Sequence, residues 1–436
     1  MLPAVRPKMQ YFSTKHKSPP ATFKEATLAG QPDDGGLFFP AEIPKFRDDL
    51  FDAGRDKAQT AFDVIQPYVG GTIPDDELFK ICGETVDFGF PLVKVTDRIS
   101  ALELFHGPTF AFKDVGARFM SRCLRHFAAD IPKKIVVLVA TSGDTGGAVA
   151  NGFFGVENVD VVILYPKDRV SRIQELQLTT LGGNVSALEV EGNFDDCQRL
   201  AKQALGDAEL HDSIFLTSAN SINVARWLPQ QFYYVFAMQQ WQGEPPIFSV
   251  PSGNFGNIAA GLLAHASGLP SGNFVAAINA NRVVADFYET GAYSAQAAVA
   301  TLSNAMDVGD PSNFVRVLET FAGSVERLKE IVSVVSVSDA ETEQTMRDVF
   351  DQTGYVLDPH GAVAYRALAD SLAVDSEHAG IFLETAHPVK FDSVERILGT
   401  YGVIPDAVAA MNGREKVATA IAPVYQILKD ILISKA

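Results

Sequence analysis

The 436-residue chain lacks the features that mark a metal, nucleotide or membrane protein. Its three cysteines, Cys82, Cys123 and Cys197, are scattered and have no C-x-x-C spacing, which predicts a reducing compartment and no metal site. No apolar run approaches the roughly 18 residues of a membrane span, and the N-terminus has no signal-peptide core. The chain has two glycine-rich turns, at residues 141–147 and 252–257. Neither contains G-x-G-x-x-G or G-x-x-x-x-G-K-[ST], so a nucleotide is not the natural ligand.

Positive charge is also scarce, since 36 Lys and Arg face 53 Asp and Glu for a net charge of −17. This balance argues against nucleic acid or an anionic membrane as a partner. The length allows two or three domains, and a hydrophobic content of 47% furnishes a sizeable core. We expect a cytoplasmic protein that is a monomer or a homodimer.

Lys113 lies in the stretch HGPTFAFKD (106–114), directly after Phe110, Ala111 and Phe112. A lysine amine condenses with an aldehyde only when it is neutral, and free lysine titrates at about 10.4. Burial among apolar groups lowers that pKa, so Lys113 is a candidate Schiff-base lysine. The alternative is a lysine that extends to solvent from a short amphipathic segment.

Two glycine-rich turns each follow an apolar strand and precede a helix, in KKIVVLVATSGDTGGAVANGF (133–153) and PIFSVPSGNFGNIAAGLLAHA (246–266). Such a unit points unpaired N–H groups at one spot, at the positive end of a helix dipole, which suits phosphate or carboxylate. Glycine lets the backbone approach the anion. The alternative is that these glycines only make tight turns.

One lysine, one phosphate cradle and one carboxylate cradle together suggest pyridoxal phosphate with an amino-acid substrate. In so acidic a chain, positive potential for a phosphorylated anion must be created locally. The candidates are the two turns with Lys113, Arg226 and Lys390.

The order of strand and helix signals predicts mainly parallel sheets with right-handed crossovers. We predict strands near 135–140, 159–165, 185–190, 247–250, 274–280 and 380–386. Helical patterns lie near 57–68 and 171–181, and a capping box at Ser338 predicts a helix through about Gln352. Residues 291–325, rich in Ala, Ser, Asn and Asp, are predicted to form a mobile flap.

Six motifs occur here in the order found in threonine synthases, which the chain therefore resembles: HGPTFAFKD, ATSGDTGG, SANSINVARW, VPSGNFGN, LDPHGAVA and ETAHPVKF. The opening segment 11–40 is similar to that of the longer, fungal- and proteobacterial-type members. The resemblance implies a tryptophan-synthase-β-like (fold type II) α/β enzyme, with two lobes of open, mainly parallel sheets and an N-terminal extension packed on the core. The predicted domains are 1–95 for the extension, 96–244 for the smaller lobe with the Schiff-base lysine, and 245–436 for the larger lobe with the phosphate loop.

The resemblance also implies a pyridoxal phosphate site. Lys113 would hold the cofactor and act as the catalytic base, and Thr385 would face the pyridine nitrogen. The remaining cofactor residues would be Ser252, Gly253, Asn254, Phe255 and Gly256. Asp144 matches a residue near the phenolic oxygen of the cofactor, but an ionised carboxylate there would repel a phenolate.

For the substrate, the resemblance implies that Thr141, Ser142 and Thr145 hold the carboxylate, and that Ser221, Arg226 and Asn257 hold the phosphate. The residues alone leave other interpretations open. Ser221 or Asn223 can be the N-cap of a helix, and Thr385 can bond its own backbone at a strand end.

Three further residues are expected to have lesser roles. We expect His360 to cap the helix that starts near Gly361. His387 and Lys390 are expected to be structural or solvated, unless the substrate phosphate reaches them.

The reaction implied is that of a carbon–oxygen lyase that converts O-phospho-L-homoserine and water to L-threonine and phosphate, the last step of threonine biosynthesis. A serine or threonine dehydratase of the same fold would need no substrate-phosphate site, so Ser221 and Arg226 argue against it. A phospho-lyase that only eliminates phosphate stays open, because elimination and replacement share their early steps. A cofactor-binding protein without catalysis is disfavoured by the intact Lys113 and both turns.

Overall fold

A computed structural model describes residues 9–375, 377–411 and 413–436. Its strands are, in chain order, β1 Gln10–Ser13, β2 Ala21–Thr22, β3 Phe38–Pro40, β4 Leu92–Lys94, β5 Ile99–Glu103, β6 Ile135–Ala140, β7 Val159–Pro166, β8 Val185–Val190, β9 Phe215–Ser218, β10 Ile247–Pro251, β11 Phe274–Ile278, β12 Val332–Ser336, β13 Gly380–Glu384 and β14 Thr419–Ile421.

The α-helices are α1 Phe23–Ala29, α2 Lys57–Val69, α3 Asp75–Thr85, α4 Lys113–Ala128, α5 Asp144–Phe153, α6 Arg172–Thr179, α7 Phe194–Leu205, α8 Ala208–Ser213, α9 Val224–Trp227, α10 Gln231–Met238, α11 Gly256–Ser267, α12 Val283–Thr290, α13 Phe314–Thr320, α14 Val325–Ile331, α15 Asp339–Thr353, α16 Pro359–Val374, α17 Asp392–Leu398, α18 Asp406–Met411 and α19 Tyr425–Ile433. Short 3₁₀ turns lie at Asp48–Phe51, Leu228–Gln230, Asn304–Met306 and Pro388–Lys390.

Two open sheets form the core of the molecule. One has the strand order β12-β11-β10-β13-β5-β4 and the other β14-β8-β7-β6-β9. Their neighbouring strands pair in parallel, except for the antiparallel β4 and β5. Strands such as β6 are buried along their whole length, because helices cover both faces of a parallel sheet. The predicted α/β class with mainly parallel sheets is confirmed.

The N-terminal region adds a small antiparallel sheet of order β2-β1-β3, which packs on the core. Tyr11 is fully buried, and its hydroxyl donates to the carbonyl of Tyr68 at 2.9 Å. The ring of Phe39 lies 5.8 Å, centroid to centroid, from that of Trp227. The aromatic side chains of this region thus supply apolar contacts that join it to the helices behind the sheets.

Local signals located most elements to within a few residues. Strands 135–140 and 185–190 have the predicted bounds, and Ser338 closes a capping box with Glu341 at the start of α15. The predicted strands 274–280 and 380–386 end two residues early, at Ile278 and Glu384. The segment 291–325 contains helix α13, and its mobility stays a prediction.

The sheets draw strands from more than one of the predicted chain ranges. Strand β5, from range 96–244, pairs with β13 of range 245–436. Strand β14 returns from the C-terminal part to pair with β8. A parallel strand can join a sheet from anywhere in the chain through a crossover, so contiguous ranges do not describe the two sheets. The division into 1–95, 96–244 and 245–436 stays a prediction.

The carboxyl ends of several strands lead into the motifs singled out above. Strand β6 ends at the first glycine turn and β10 at the second, while β9 runs into SANSINVARW and β13 into ETAHPVKF. Ligands of open α/β sheets bind beyond these ends. Across the described ranges, no helix combines the length and apolarity needed to cross a bilayer.

Gly116→Ala is predicted to destabilise the fold. A Cβ atom there would lie 2.6 Å from the carbonyl oxygen of Arg226, because α4 and α9 approach closely at this point. Overpacking of this kind costs about 1–3 kcal/mol and outweighs the gain of up to about 1 kcal/mol in helix propensity. Urea unfolding measures the change.

The matched control is Gly83→Ala in α3, where a Cβ would meet only Ala58 at 3.6 Å. This variant should be neutral or slightly more stable. Equal stability of the two variants would contradict the close packing of α4 on α9.

Candidate active site

Lys113 begins helix α4, at the end of a loop that is tied to the segment after β13. The Phe112 N–H donates to the Thr385 carbonyl at 2.8 Å, and Ala111 forms a bridge with Ala386. The hydroxyl of Tyr233 donates to the Phe112 carbonyl. These contacts join HGPTFAFKD to ETAHPVKF and bring Thr385 beside the lysine loop.

The amine of Lys113 has no ion-pair partner within the described ranges. Lys113 is partly exposed, but its amine is surrounded by protein atoms. The resulting desolvation lowers the pKa of the amine to about 8. The charge of Asp144 opposes this shift, and the charges of Lys390 and Arg226 add to it. About one amine in ten is then neutral at pH 7.

The first glycine turn is organised by Thr141, which is buried at the end of β6. Its hydroxyl accepts hydrogen bonds from the N–H groups of Gly143 and Gly146, both at 2.9 Å. Ser142 and Thr145 are partly exposed on the same turn. The hydroxyl of Thr141 therefore shapes the turn, and those of Ser142 and Thr145 are the accessible ones.

Asp144 and Lys390 form a buried ion pair beside this turn. Their side chains are 5% and 0% exposed, and Lys390 Nζ lies 2.8 Å from Asp144 Oδ1. Gln174 donates to the same oxygen at 3.0 Å. Burial alone would raise the pKa of Asp144, but Lys390, Lys113 and these hydrogen bonds hold it well below its ordinary value. Lys390 Nζ also donates to the Thr109 carbonyl at 2.8 Å, and the burial of Lys390 agrees with the expected structural role and not with the solvated alternative.

The second glycine turn leads into α11 without a side-chain cap. Phe255, the N-cap residue, has a left-handed backbone with φ of 59°, which is uncommon for a non-glycine residue. A Cβ on Gly253 would lie 2.5 Å from Met306 Cα, so only glycine fits there. Ser252 donates its hydroxyl to the Val250 carbonyl at 2.8 Å. The first N–H groups of α11 have no acceptor within the helix and can bind an anion.

Asn254 turns toward a different set of residues. Its Nδ2 donates to Ser221 Oγ at 2.7 Å, and its Oδ1 accepts from the Ser312 N–H at 2.6 Å. Asn313 also donates to Ser221 Oγ, at 3.4 Å. We refer to Ser221, Asn254 and Asn313 as the Ser221 cluster. It brings the loop before α9, the second glycine turn and the segment before α13 together.

Arg226 and Asn257 each carry a buried nitrogen that has no hydrogen-bond partner among the described residues. Arg226 is 2% exposed and Asn257 5%. The Nε of Arg226 and the Nδ2 of Asn257 have no hydrogen-bond acceptor, and no carboxylate pairs with Arg226 in the described part of the chain. Burial lowers the pKa of Arg226 to about 10, so the guanidinium stays charged at neutral pH. Unsatisfied buried donors are costly, and a bound anion would satisfy them.

Arg316 is a second buried guanidinium, and sequence reasoning missed it. It donates to the Phe38 carbonyl at 3.0 Å, the Ile222 carbonyl at 2.6 Å and Asn313 Oδ1 at 2.8 Å, and it stacks 4.2 Å above the Trp227 ring. It thereby fixes Asn313, a member of the Ser221 cluster, against the N-terminal sheet. No local pattern in FVRVLET marks the residue, because its partners lie far away in the sequence.

Some of the expected capping roles fall to other residues. Asp358, not His360, is the N-cap of α16, because its carboxylate accepts from the His360 and Gly361 N–H groups. His360 lies within the helix, where its Nε2 accepts from the Ala305 N–H at 3.2 Å. The cap of α9 is Asn223, not Ser221, which leaves Ser221 to its cluster. His387 caps the turn Pro388–Lys390, and burial lowers its pKa to about 4.

Comparison with known proteins decides the family. A family model for pyridoxal-phosphate dependent enzymes matches residues 94–380, and one for the threonine synthase N terminus matches residues 10–86. Threonine synthase of Serratia marcescens is 45% identical over 409 residues, which cover 92% of this chain and 94% of the relative. The chain belongs to the threonine synthase family.

Solved structures of this family share the fold. Threonine synthase from Escherichia coli superposes with a TM-score of 0.90 at 40% identity, covering 98% of this chain and 100% of that one. The threonine synthase from Brucella melitensis, solved with pyridoxal phosphate bound, gives a TM-score of 0.91 at 33% identity, with 98% and 99% covered.

The residues of this chain fit the cofactor of the family. Lys113 offers an amine that forms no salt bridge with any described residue. The start of α11, which has no side-chain cap, offers N–H groups next to the Gly253 turn. Thr385, at the end of β13, is 6% exposed and lies beside the lysine loop. A reactive amine, an anion cradle and a strand-end hydroxyl are what the aldehyde, phosphate and ring nitrogen of pyridoxal phosphate require.

Arg316→Lys is predicted to lower the free energy of unfolding by about 2 kcal/mol or more. An ammonium group cannot reach the Phe38 and Ile222 carbonyls and Asn313 at once, nor can it stack flat on Trp227. Chemical denaturation measures the loss. Arg327→Lys, at an exposed position of α14, is the control and should change stability by less than about 0.5 kcal/mol. Equal effects would show that the buried contacts of Arg316 contribute little.

Proposed function

We propose that the chain is a threonine synthase that converts O-phospho-L-homoserine and water to L-threonine and phosphate with pyridoxal phosphate as cofactor. The family membership and the fit of Lys113 and the α11 cradle support this reaction. As the family name implies, the substrate is a small molecule. The three cysteines are buried and unpaired, which supports a reducing compartment such as the cytoplasm.

The single observation that carries the substrate assignment is the buried Arg226, which has no carboxylate partner among the residues that the structure describes. The anionic group of a serine or threonine substrate is its carboxylate, for which the first glycine turn is the proposed site, so such a substrate leaves Arg226 without an anion. A phosphorylated substrate would neutralise Arg226 and give the open Asn257 amide an acceptor. Ser221, whose hydroxyl already accepts from two amides, can donate its own proton to a phosphate oxygen.

The cofactor, when bound, supplies the electron sink that allows a proton to leave a substrate carbon. The residues proposed to hold it are Lys113 at the aldehyde carbon, Ser252 to Gly256 at the phosphate and Thr385 at the ring nitrogen. A threonine hydroxyl donates a hydrogen bond there without transferring its proton, which favours replacement over transamination.

Lys113 is proposed to move the protons of the reaction. In the free chain its pKa of about 8 provides neutral amine near neutral pH, and the fraction rises toward alkaline pH. The neutral Lys113 amine can accept one proton at a time, first from Cα and, after it has released that proton, from Cβ. The same group, then protonated, can return a proton to carbon after water has added at Cβ.

The remaining residues are proposed to orient the substrate. Ser142 and Thr145 can bond its carboxylate at the first glycine turn, which Thr141 shapes. Arg226, Ser221 and Asn257 can hold the phosphate as it leaves Cγ, because buried donors stabilise developing negative charge more than water does. Binding both ends of the substrate would fix Cα and Cβ within reach of Lys113.

The proposed function is tested by loading the purified chain with pyridoxal phosphate and adding O-phospho-L-homoserine. Phosphate and threonine are quantified together, and we expect equal amounts of both. Phosphate accompanied by 2-oxobutyrate and little threonine would identify a phospho-lyase instead. Neither product, from chain that is folded and loaded, would overturn the proposal.

Arg226→Met is predicted to lower kcat/KM for O-phospho-L-homoserine by about 30- to 1000-fold, which corresponds to about 2–4 kcal/mol for a lost charge-assisted bond. Methionine keeps most of the buried volume, so the cofactor should still bind. Steady-state kinetics give the loss, and calorimetric titration with inorganic phosphate shows whether it lies in phosphate binding. A change below a few-fold would remove Arg226 from the substrate site.

A further inference from the structure

Lys390 and its ion-pair partner Asp144 follow strands of different sheets. Asp144 begins α5 after β6 of the five-stranded sheet, whereas Lys390 follows β13 of the six-stranded sheet. Their ion pair at 2.8 Å is shielded from solvent, and the Thr109 carbonyl accepts a second hydrogen bond from Lys390. Thr109 is four residues before Lys113, so the pair lies against the lysine loop.

The Asp144–Lys390 pair is among the charges that act on the Lys113 amine. The groups that act on its amine are Asp144 on α5, Lys390 after β13 and Arg226 on α9. Asp114 on its own helix and Tyr233 on α10 face Arg226. Asp144 is thus the carboxylate that favours a protonated Lys113, and Lys390 is the cation that occupies it.

We propose that Lys390 is a positioning residue that engages the Asp144 carboxylate and so leaves the Lys113 amine free to react with an aldehyde. This inference rests on the proposed role of Lys113 and deepens it. Without the ammonium group of Lys390, Asp144 would keep the neutral Gln174 as its side-chain donor, and Lys113 would become its cationic partner. A buried carboxylate that has lost its cationic partner favours the charged form of the nearest amine.

A purely structural role for Lys390 makes a different prediction. The ion pair joins the two sheets, so its loss would lower stability whatever happens at Lys113. The titration of Lys113 separates the two roles, because a lost tether between the sheets does not by itself change which group the Asp144 charge acts on.

The test measures acylation of Lys113 in the full-length chain after removal of the cofactor with hydroxylamine. An amine-reactive probe is applied across neutral and alkaline pH, and labelled Lys113 is quantified by peptide mass spectrometry. In Lys390→Met the midpoint should rise by about one pH unit, so that about tenfold less neutral amine is present at a given lower pH. Adding Asp144→Asn to that variant should return the midpoint toward that of the original chain.

Two further variants keep the test decisive. Lys134→Met breaks the surface ion pair with Asp160 at 3.1 Å and should leave the Lys113 midpoint unchanged. If Lys390→Met does not fold, Lys390→Gln replaces it, and the Lys113 midpoint should rise in the same way because a neutral amide leaves the Asp144 charge unpaired. An unchanged midpoint in the Lys390 variant, or a rise that Asp144→Asn does not reverse, would overturn the inference. Since no substrate is used, this result is independent of the phosphohomoserine assay.

Discussion

The site depends on three buried positive charges, which the packing of an otherwise acidic chain encloses. Lys390, Arg226 and Arg316 are almost inaccessible to solvent, yet the chain carries a net charge of −17. Asp144 neutralises Lys390, whereas the charge of Arg316 is stabilised by hydrogen bonds to two carbonyls and an amide oxygen and by an aromatic ring. Arg226 is left with one carbonyl partner and no carboxylate among the described residues. Burying a cation without a counter-ion is costly, and the arrangement is explained if the substrate brings the missing anion.

The two parallel sheets explain how these groups meet. Their strands end at the same region, so short motifs that lie far apart in the chain converge there: the lysine loop after β5, the first turn after β6, the Arg226 segment after β9, the second turn after β10 and Thr385 after β13. Contacts between the motifs then fix their relative positions. Thr385 bonds the lysine loop through its carbonyl, and Asn254 bonds Ser221 through its side chain. The candidate site is thus formed by the loops that follow the carboxyl ends of the strands, and a few side chains on or just after these loops carry its chemistry.

The sequence predicted the local parts of this arrangement and missed the long-range ones. The strand–turn–helix units around Thr141 and Gly253, and the lysine after three apolar residues, are local patterns with a direct physical interpretation. The burial of Lys390 and the role of Arg316 depend on contacts across 281 and 278 residues, to Thr109 and Phe38. A charged residue in a short loop or on a helix gives no local sign that it will be enclosed. His360 shows the reverse error, because its place after Asp358 and Pro359 gave no reason to prefer it over the aspartate as the cap.

The central claim is that Lys113 reacts with the aldehyde because the other lysine of the site, Lys390, is paired with the Asp144 carboxylate. The most direct test loads the full chain with pyridoxal phosphate, reduces it with borohydride and maps the modified peptide by mass spectrometry. The account predicts modification at Lys113, whose amine has no ion pair within the described ranges, and none at Lys390, whose amine pairs with Asp144. Modification at Lys390 would contradict the account, since the carboxylate would then fail to hold that amine and Lys113 would lose its assigned role.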